Sequence, residues 1–203
     1  MRSFPNDRGP VPTRDVGSQA AANLRFIREA LETAGAFTAV SGWGQVAIGA
    51  TAFVAFAVAA RQPTRGRWLA AWLLEAAVAV TIAAAAMVVK ARRKGLSLSS
   101  GPSRRFWPSF GAPLVVGAFL TVALVSRGLF DLLPGVWLLL FGTAVVAGGA
   151  VSVPLVRGMG WSILALGMPA LFAPPPWGDA FLAAGFGGLL ALFGVAIARR
   201  HGG

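Results

Sequence analysis

Between Phe37 and residue 198 the chain is a succession of six apolar runs, near residues 37–60, 68–89, 108–126, 134–153, 155–173 and 179–198, with charge concentrated at the joints. Crossing roughly 30 Å of hydrocarbon takes about 20 apolar residues at about 1.5 Å of rise per helical residue. Each run is near that length. Lipid offers no partner for a free backbone N–H or C=O, so each run must satisfy its own polar groups as a helix. The fold expected is therefore all-α, a polytopic membrane helix bundle of six transmembrane helices. Composition points the same way: 56% of residues are hydrophobic and 12% charged, whereas soluble domains carry about 25% charged residues. The fifth run is the least regular. Arg157 stands near its start, Pro169 interrupts it and the APPPWG turn of residues 173–178 ends it, so a complete span and a re-entrant segment both remain open.

Ahead of the bundle, residues 1–17 (MRSFPNDRGPVPTRDVG) hold three prolines and little to bury, the composition of a disordered tail. Residues 18–35 read differently. Leu24, Ile27, Leu31 and Ala34 form one apolar stripe, Arg25 and Arg28 stand four residues before Glu29 and Glu32, Ser18 is a candidate N-cap and Gly35 a stop. That pattern predicts an amphipathic helix lying on the membrane surface or packed on the cytoplasmic loops. The first long apolar run shows no small-residue cleavage site after a short core, so it is expected to be retained as a span rather than removed as a signal peptide. The organisation expected is a tail (1–17), a surface helix (18–35), a six-span domain (36–200) and a short C-terminal tail (201–203).

Placing both termini in the cytoplasm puts fourteen of the eighteen Lys and Arg on the inner side and leaves Arg61, Arg65, Arg67 and Arg127 outside. This asymmetry predicts that orientation. Trp43, Trp68, Trp107, Trp137, Trp161 and Trp177 each fall near the start of a proposed span, where interfacial anchoring puts tryptophan. Only Trp72 lies deeper. The first and fourth runs share a Trp followed five or six residues later by Gly, a faint sign of a three-plus-three inverted repeat.

Glu75 is the acidic residue set well inside a span, and a carboxyl group in lipid needs a partner, a water-filled cavity or a bound proton. Counting rise from each helix start puts Thr51 of the first span at a similar depth, with Arg67 or Arg127 able to reach inward from the outer rim. Gln45 lies about 10 Å from the inner surface and forms a polar patch with Thr38 and Ser41. Glu75, Gln45 and Thr51 are thus the candidate intramembrane polar site. Two readings stand side by side: a proton-linked or cation site, and hydrogen bonds that fix helix interfaces. Small residues four apart, at Ala47, Thr51, Ala55 and Ala59 and at Ala180, Ala184 and Gly188, predict close helix contact. Asp131 and Asp179 read as helix caps. Lys90, Arg92, Arg93, Lys94, Arg104 and Arg105 form a basic joint that is a candidate contact for anionic lipid headgroups, and topogenesis alone also accounts for it.

Catalytic constellations are missing. The chain has no cysteine or tyrosine and a single histidine, His201, so disulfides, thiolate metal sites, haem ligation and histidine base chemistry lack their residues. The expectation is a protein that is not an enzyme, with no cofactor. A net charge of +11 spread over short joints offers no module for nucleic acid. The partners expected are membrane lipids, including anionic headgroups at the cytoplasmic face, a second copy of the chain or a cytosolic protein.

The stretch IREALETAGAFTAVSGWGQ of residues 27–45, the KARRKG joint, SGP at residues 100–102, LLPGVWLLLFG at residues 132–142, GFGGLL and the IARRHGG ending together resemble a group of bacterial six-helix membrane proteins with no assigned activity, over residues 25–203. The resemblance implies the six-span topology and a bacterial cytoplasmic (inner) membrane, and it lends no catalytic residue. His201 stands where the group's pattern has Tyr. The leading expectation is a non-enzymatic sensor, regulator or assembly partner. The alternative is a small transporter or channel subunit working through Glu75, paired with further copies because six helices leave little room for a wide pore.

Overall fold

A computed structural model describes residues 23, 24, 27, 40–94, 101–150 and 152–201, with backbone alone at 94, 101–105 and 201. The chain divides into two compact units, Met1–Ala36 and Phe37–Gly203. In the first, Asn23, Leu24 and Ile27 are helical, inside the expected surface helix. The remainder of that helix and the 1–17 tail lie outside the described residues.

The second unit holds six helices long and apolar enough to cross a membrane. They are α1 (Gly42–Ala59), α2 (Arg65–Lys94), α3 (Gly101–Ser126), α4 (Leu133–Gly149), α5 (Pro154–Phe172) and α6, which runs through Gly178–Leu182, Ala183–Leu189 and Leu190–His201. The fifth is one continuous helix of 19 residues despite Pro169, so it has the length of a full span. Local chemistry sets the ends. The Gly44 N–H donates to Ser41 Oγ at 3.2 Å, which starts α1 at Gly42 and not at Phe37. The Arg67 N–H donates to Thr64 Oγ1 at 3.3 Å and starts α2 likewise. At the end of α3, Gly128 takes φ 74, and the Gly128 and Leu129 N–H groups donate to Val125 O at 3.0 Å and Leu124 O at 2.9 Å. A left-handed residue closing a helix with that pair of bonds favours glycine.

The core is four helices. α1 packs along α6 and α4 along α5, while α2 leans on α1 and α3 on α4. Leu133, Leu138, Ile163, Leu182, Leu190 and Ile197 are fully buried at the centre. Apolar side chains lose nothing by facing lipid, so helix association here depends on close van der Waals packing. Glycine at seven-residue intervals supplies it: Gly42 and Gly49 in α1, Gly135, Gly142 and Gly149 in α4, Gly160 and Gly167 in α5, Gly187 and Gly194 in α6. A Cβ added at Gly142 would lie 2.8 Å from Leu164 N, and one at Gly160 2.7 Å from Val146 N, so these backbones are already in contact. The periphery differs sharply. Only 11% of the apolar window of α2 and 6% of that of α3 is buried, against 33–39% for the other four helices.

The expected small-residue stripe on the sixth span is not its packing face. Ala180 and Ala184 are exposed and a Cβ on Gly188 would meet nothing within 4 Å. The reason lies in Ala183–Leu189, which follows a π-helical path and turns Gly187 and Gly194 toward α1 instead.

Candidate functional site

Trp68, Trp72 and Glu75 recur at four- and three-residue steps and so share one face of α2. Glu75 sits ten residues into α2, about 15 Å along its axis. Thr51 Oγ1 lies 2.8 Å from Glu75 Oε1 and 2.9 Å from the Ile48 carbonyl oxygen. The pair joins α1 to α2. Nothing on α1, GWGQVAIGATAFVAFAVA, carries charge, and among the described residues no cation pairs with Glu75; Arg67 and Arg127 are exposed. Thr51 has one proton to give, and a carboxylate has none. Both contacts are full hydrogen bonds when Glu75 carries a proton and donates to Thr51, which then donates to Ile48. Without that proton Thr51 serves one acceptor or divides its bond between two.

A second polar contact of α2 lies one to two turns above Glu75. Asp179 of α6 accepts from Trp68 Nε1 at 2.7 Å and Trp72 Nε1 at 2.9 Å, both on Oδ1. It therefore ties α2 to α6, where a helix cap was expected. Trp68 stacks on Trp137 of α4 with ring centroids 5.9 Å apart, and Trp137 Nε1 donates to Thr121 Oγ1 of α3 at 2.9 Å. These three tryptophans spend their N–H groups on polar partners inside the protein, beyond the interfacial anchoring expected of Trp68 and Trp137. Asp131 meets Arg65 at 3.4 Å, whose guanidinium lies 5.7 Å from the centre of the Phe130 ring. Trp68, Phe130, Asp131 and Asp179 border a cavity of ≈ 290 Å³ at this end of the bundle.

Gln45 does not join Glu75 and Thr51. It stands six residues earlier on α1 than Thr51, nearly two turns away, where it borders a separate cavity of ≈ 120 Å³ toward the opposite end. Its Oε1 is buried without a hydrogen-bond partner among the described residues. Of the basic joint, Lys90 is 3% exposed and donates from Nζ to Val40 O at 2.8 Å, so it is built into the packing between α2 and the start of α1. Arg92 and Arg93 are exposed. The side chains of Lys94, Arg104 and Arg105 lie outside the described residues.

Comparison with family models, with curated proteins and with solved structures finds no match.

Proposed function

We propose that the chain is a non-enzymatic sensor or regulator of a bacterial inner membrane, with both termini cytoplasmic, in which the proton on Glu75 sets how closely α2 docks on α1. One observation carries this reading: Thr51 Oγ1 stands within hydrogen-bonding distance of two acceptors, Glu75 Oε1 and Ile48 O, at the contact between α1 and α2. Removing the proton leaves a charge in low dielectric with a shared donor, an arrangement that costs several kcal/mol unless the helix moves toward water or a cation. The absence of cysteine makes the test direct. Spin labels on cysteines introduced at the exposed Val54 and Leu74, in liposomes, are expected to move apart as pH rises, and to stay close at every pH in Glu75→Gln. Identical distances in the two proteins across pH would sink this reading. The fourteen-to-four distribution of basic residues supports the orientation.

A second reading, a proton-linked transporter subunit, draws on the ≈ 290 Å³ cavity at the Asp179 end, about two turns of α2 above Glu75. Flux into sealed vesicles that is abolished by Glu75→Gln would favour it. A cytosolic partner lost on deleting residues 1–35 would favour a regulator.

A further inference from the structure

Among the described residues, α2 and α3 make no extended contact with each other: α2 leans on α1 and α3 on α4. At the end where α1 begins, the gap between them becomes the ≈ 120 Å³ cavity. Its floor is aromatic: Phe106 and Phe110 stack at 5.3 Å, and Phe110 meets Phe141 edge-on at 6.2 Å. Met87 and Val145 complete an apolar wall suited to a hydrocarbon chain. One group is out of place in it. Gln45 Oε1 is buried and lacks a donor, and a buried acceptor left in that state is costly. Of the lining side chains, the Ser41 hydroxyl accepts from the Gly44 N–H, and neither it nor the Trp107 indole N–H bonds Gln45 Oε1. A donor on the occupant would satisfy Gln45.

The surroundings give the occupant its charge. Arg92 and Arg93 are exposed five and six residues beyond Met87 on α2, about 7–9 Å further along the axis. That is the distance from a hydrocarbon chain to its headgroup. We propose that this gap is a lipid site, taken by an anionic phospholipid with a hydroxylated headgroup, such as phosphatidylglycerol. Its acyl chain lies on the Phe106–Phe110–Phe141 floor, its phosphate faces Arg92 and Arg93, and a headgroup hydroxyl donates to Gln45 Oε1. Phosphatidylcholine fails on both polar counts, since its headgroup has no net charge and no donor.

Native mass spectrometry of the full chain, released from micelles carrying equal phosphatidylglycerol and phosphatidylcholine, tests this. The wild type is expected to retain phosphatidylglycerol about 30-fold better, the scale that two arginines at a membrane surface supply. Gln45→Leu should reduce the preference severalfold, Arg92→Gln with Arg93→Gln should reduce it to the severalfold part that Gln45 supplies, and Ala84→Phe, which fills the gap from its exposed rim, should lower retention of both lipids. Equal retention of the two lipids by the wild type overturns the proposal, as does a preference that Gln45→Leu and Ala84→Phe both leave unchanged. Should a variant fail to fold, phosphatidylglycerol with a photoactivatable acyl chain decides on the wild type: crosslinks to the peptides of Met87 and Phe106–Phe110 support the site, and crosslinks elsewhere reject it.

Discussion

Replacing Gly49 of α1 with alanine is expected to weaken the bundle although alanine is the better helix former. A Cβ built there lies 2.6 Å from Gly187 O and 2.9 Å from Ala191 Cβ. Heavy atoms in contact prefer about 3.5–4.0 Å, so α1 and α6 must part by roughly 1 Å along this seam, and a gap of that size forfeits about a quarter to a half of each contact's attraction. Overpacking of this kind costs about 1–3 kcal/mol. Helix propensity opposes it by about 1 kcal/mol, leaving a net destabilisation of up to about 2 kcal/mol. Gly111→Ala in α3 isolates the opposing effect, because a Cβ there meets nothing within 4 Å; it should stabilise by about 0.5–1 kcal/mol. Steric-trap unfolding of doubly tagged protein in bicelles reads both on one scale. Equal stability of the two variants would refute the close-packing argument. In the α4–α5 seam, Cβ atoms at Gly142 and Gly160 would each approach the other's carbonyl oxygen at 3.0 Å, so the double alanine variant should cost less than the two single ones together.

Asp179→Ala strands the indole N–H of the buried Trp72 and should cost about 1–3 kcal/mol, whereas Asp179→Asn keeps an acceptor and should cost less; the same unfolding assay orders them. Thr51→Val should cost about 1 kcal/mol or less in the same assay, and because Glu75 can still ionise it should keep a pH-dependent α1–α2 spin-label distance that Glu75→Gln lacks. Amine-reactive acylation in micelles should spare Lys90, buried with its Nζ on Val40 O, as peptide mass mapping would reveal. A cysteine at Arg127 should react with a membrane-impermeant thiol reagent in intact cells, and one at Arg92 only once the membrane is opened.

Helix number and approximate bounds were legible because an apolar run of about 20 residues has few other stable forms in lipid. The meeting of Thr51 with Glu75 followed from counting rise along two antiparallel helices. Other features required neighbours that one helix does not reveal. Asp179 read as a cap because a carboxylate at a helix start is the ordinary case, and nothing in its own segment announces two tryptophans 111 and 107 residues away. The separation of Gln45 from Glu75 also follows from rise, yet which cavity each faces depends on how α2 and α3 diverge. The seven-residue glycine spacing, by contrast, is present in the sequence beside the four-residue steps from which close contact is expected. Two helices crossing at a shallow angle repeat their contacts every two turns, so the longer interval is the one that marks a seam.

The π-helical stretch of α6 amounts to a spare residue wound into an otherwise ordinary helix. Inserting one residue into a regular helix rotates everything downstream by about 100°, which here would swing Gly194 off the first helix. The wider coil absorbs that surplus, so the halves on either side keep their phase. Excising Gly188, whose surroundings are open, would let the stretch relax to regular winding with both halves still correctly aimed. The same excision midway through the uninterrupted α5 would carry Gly167 away from the Leu139 backbone against which it rests.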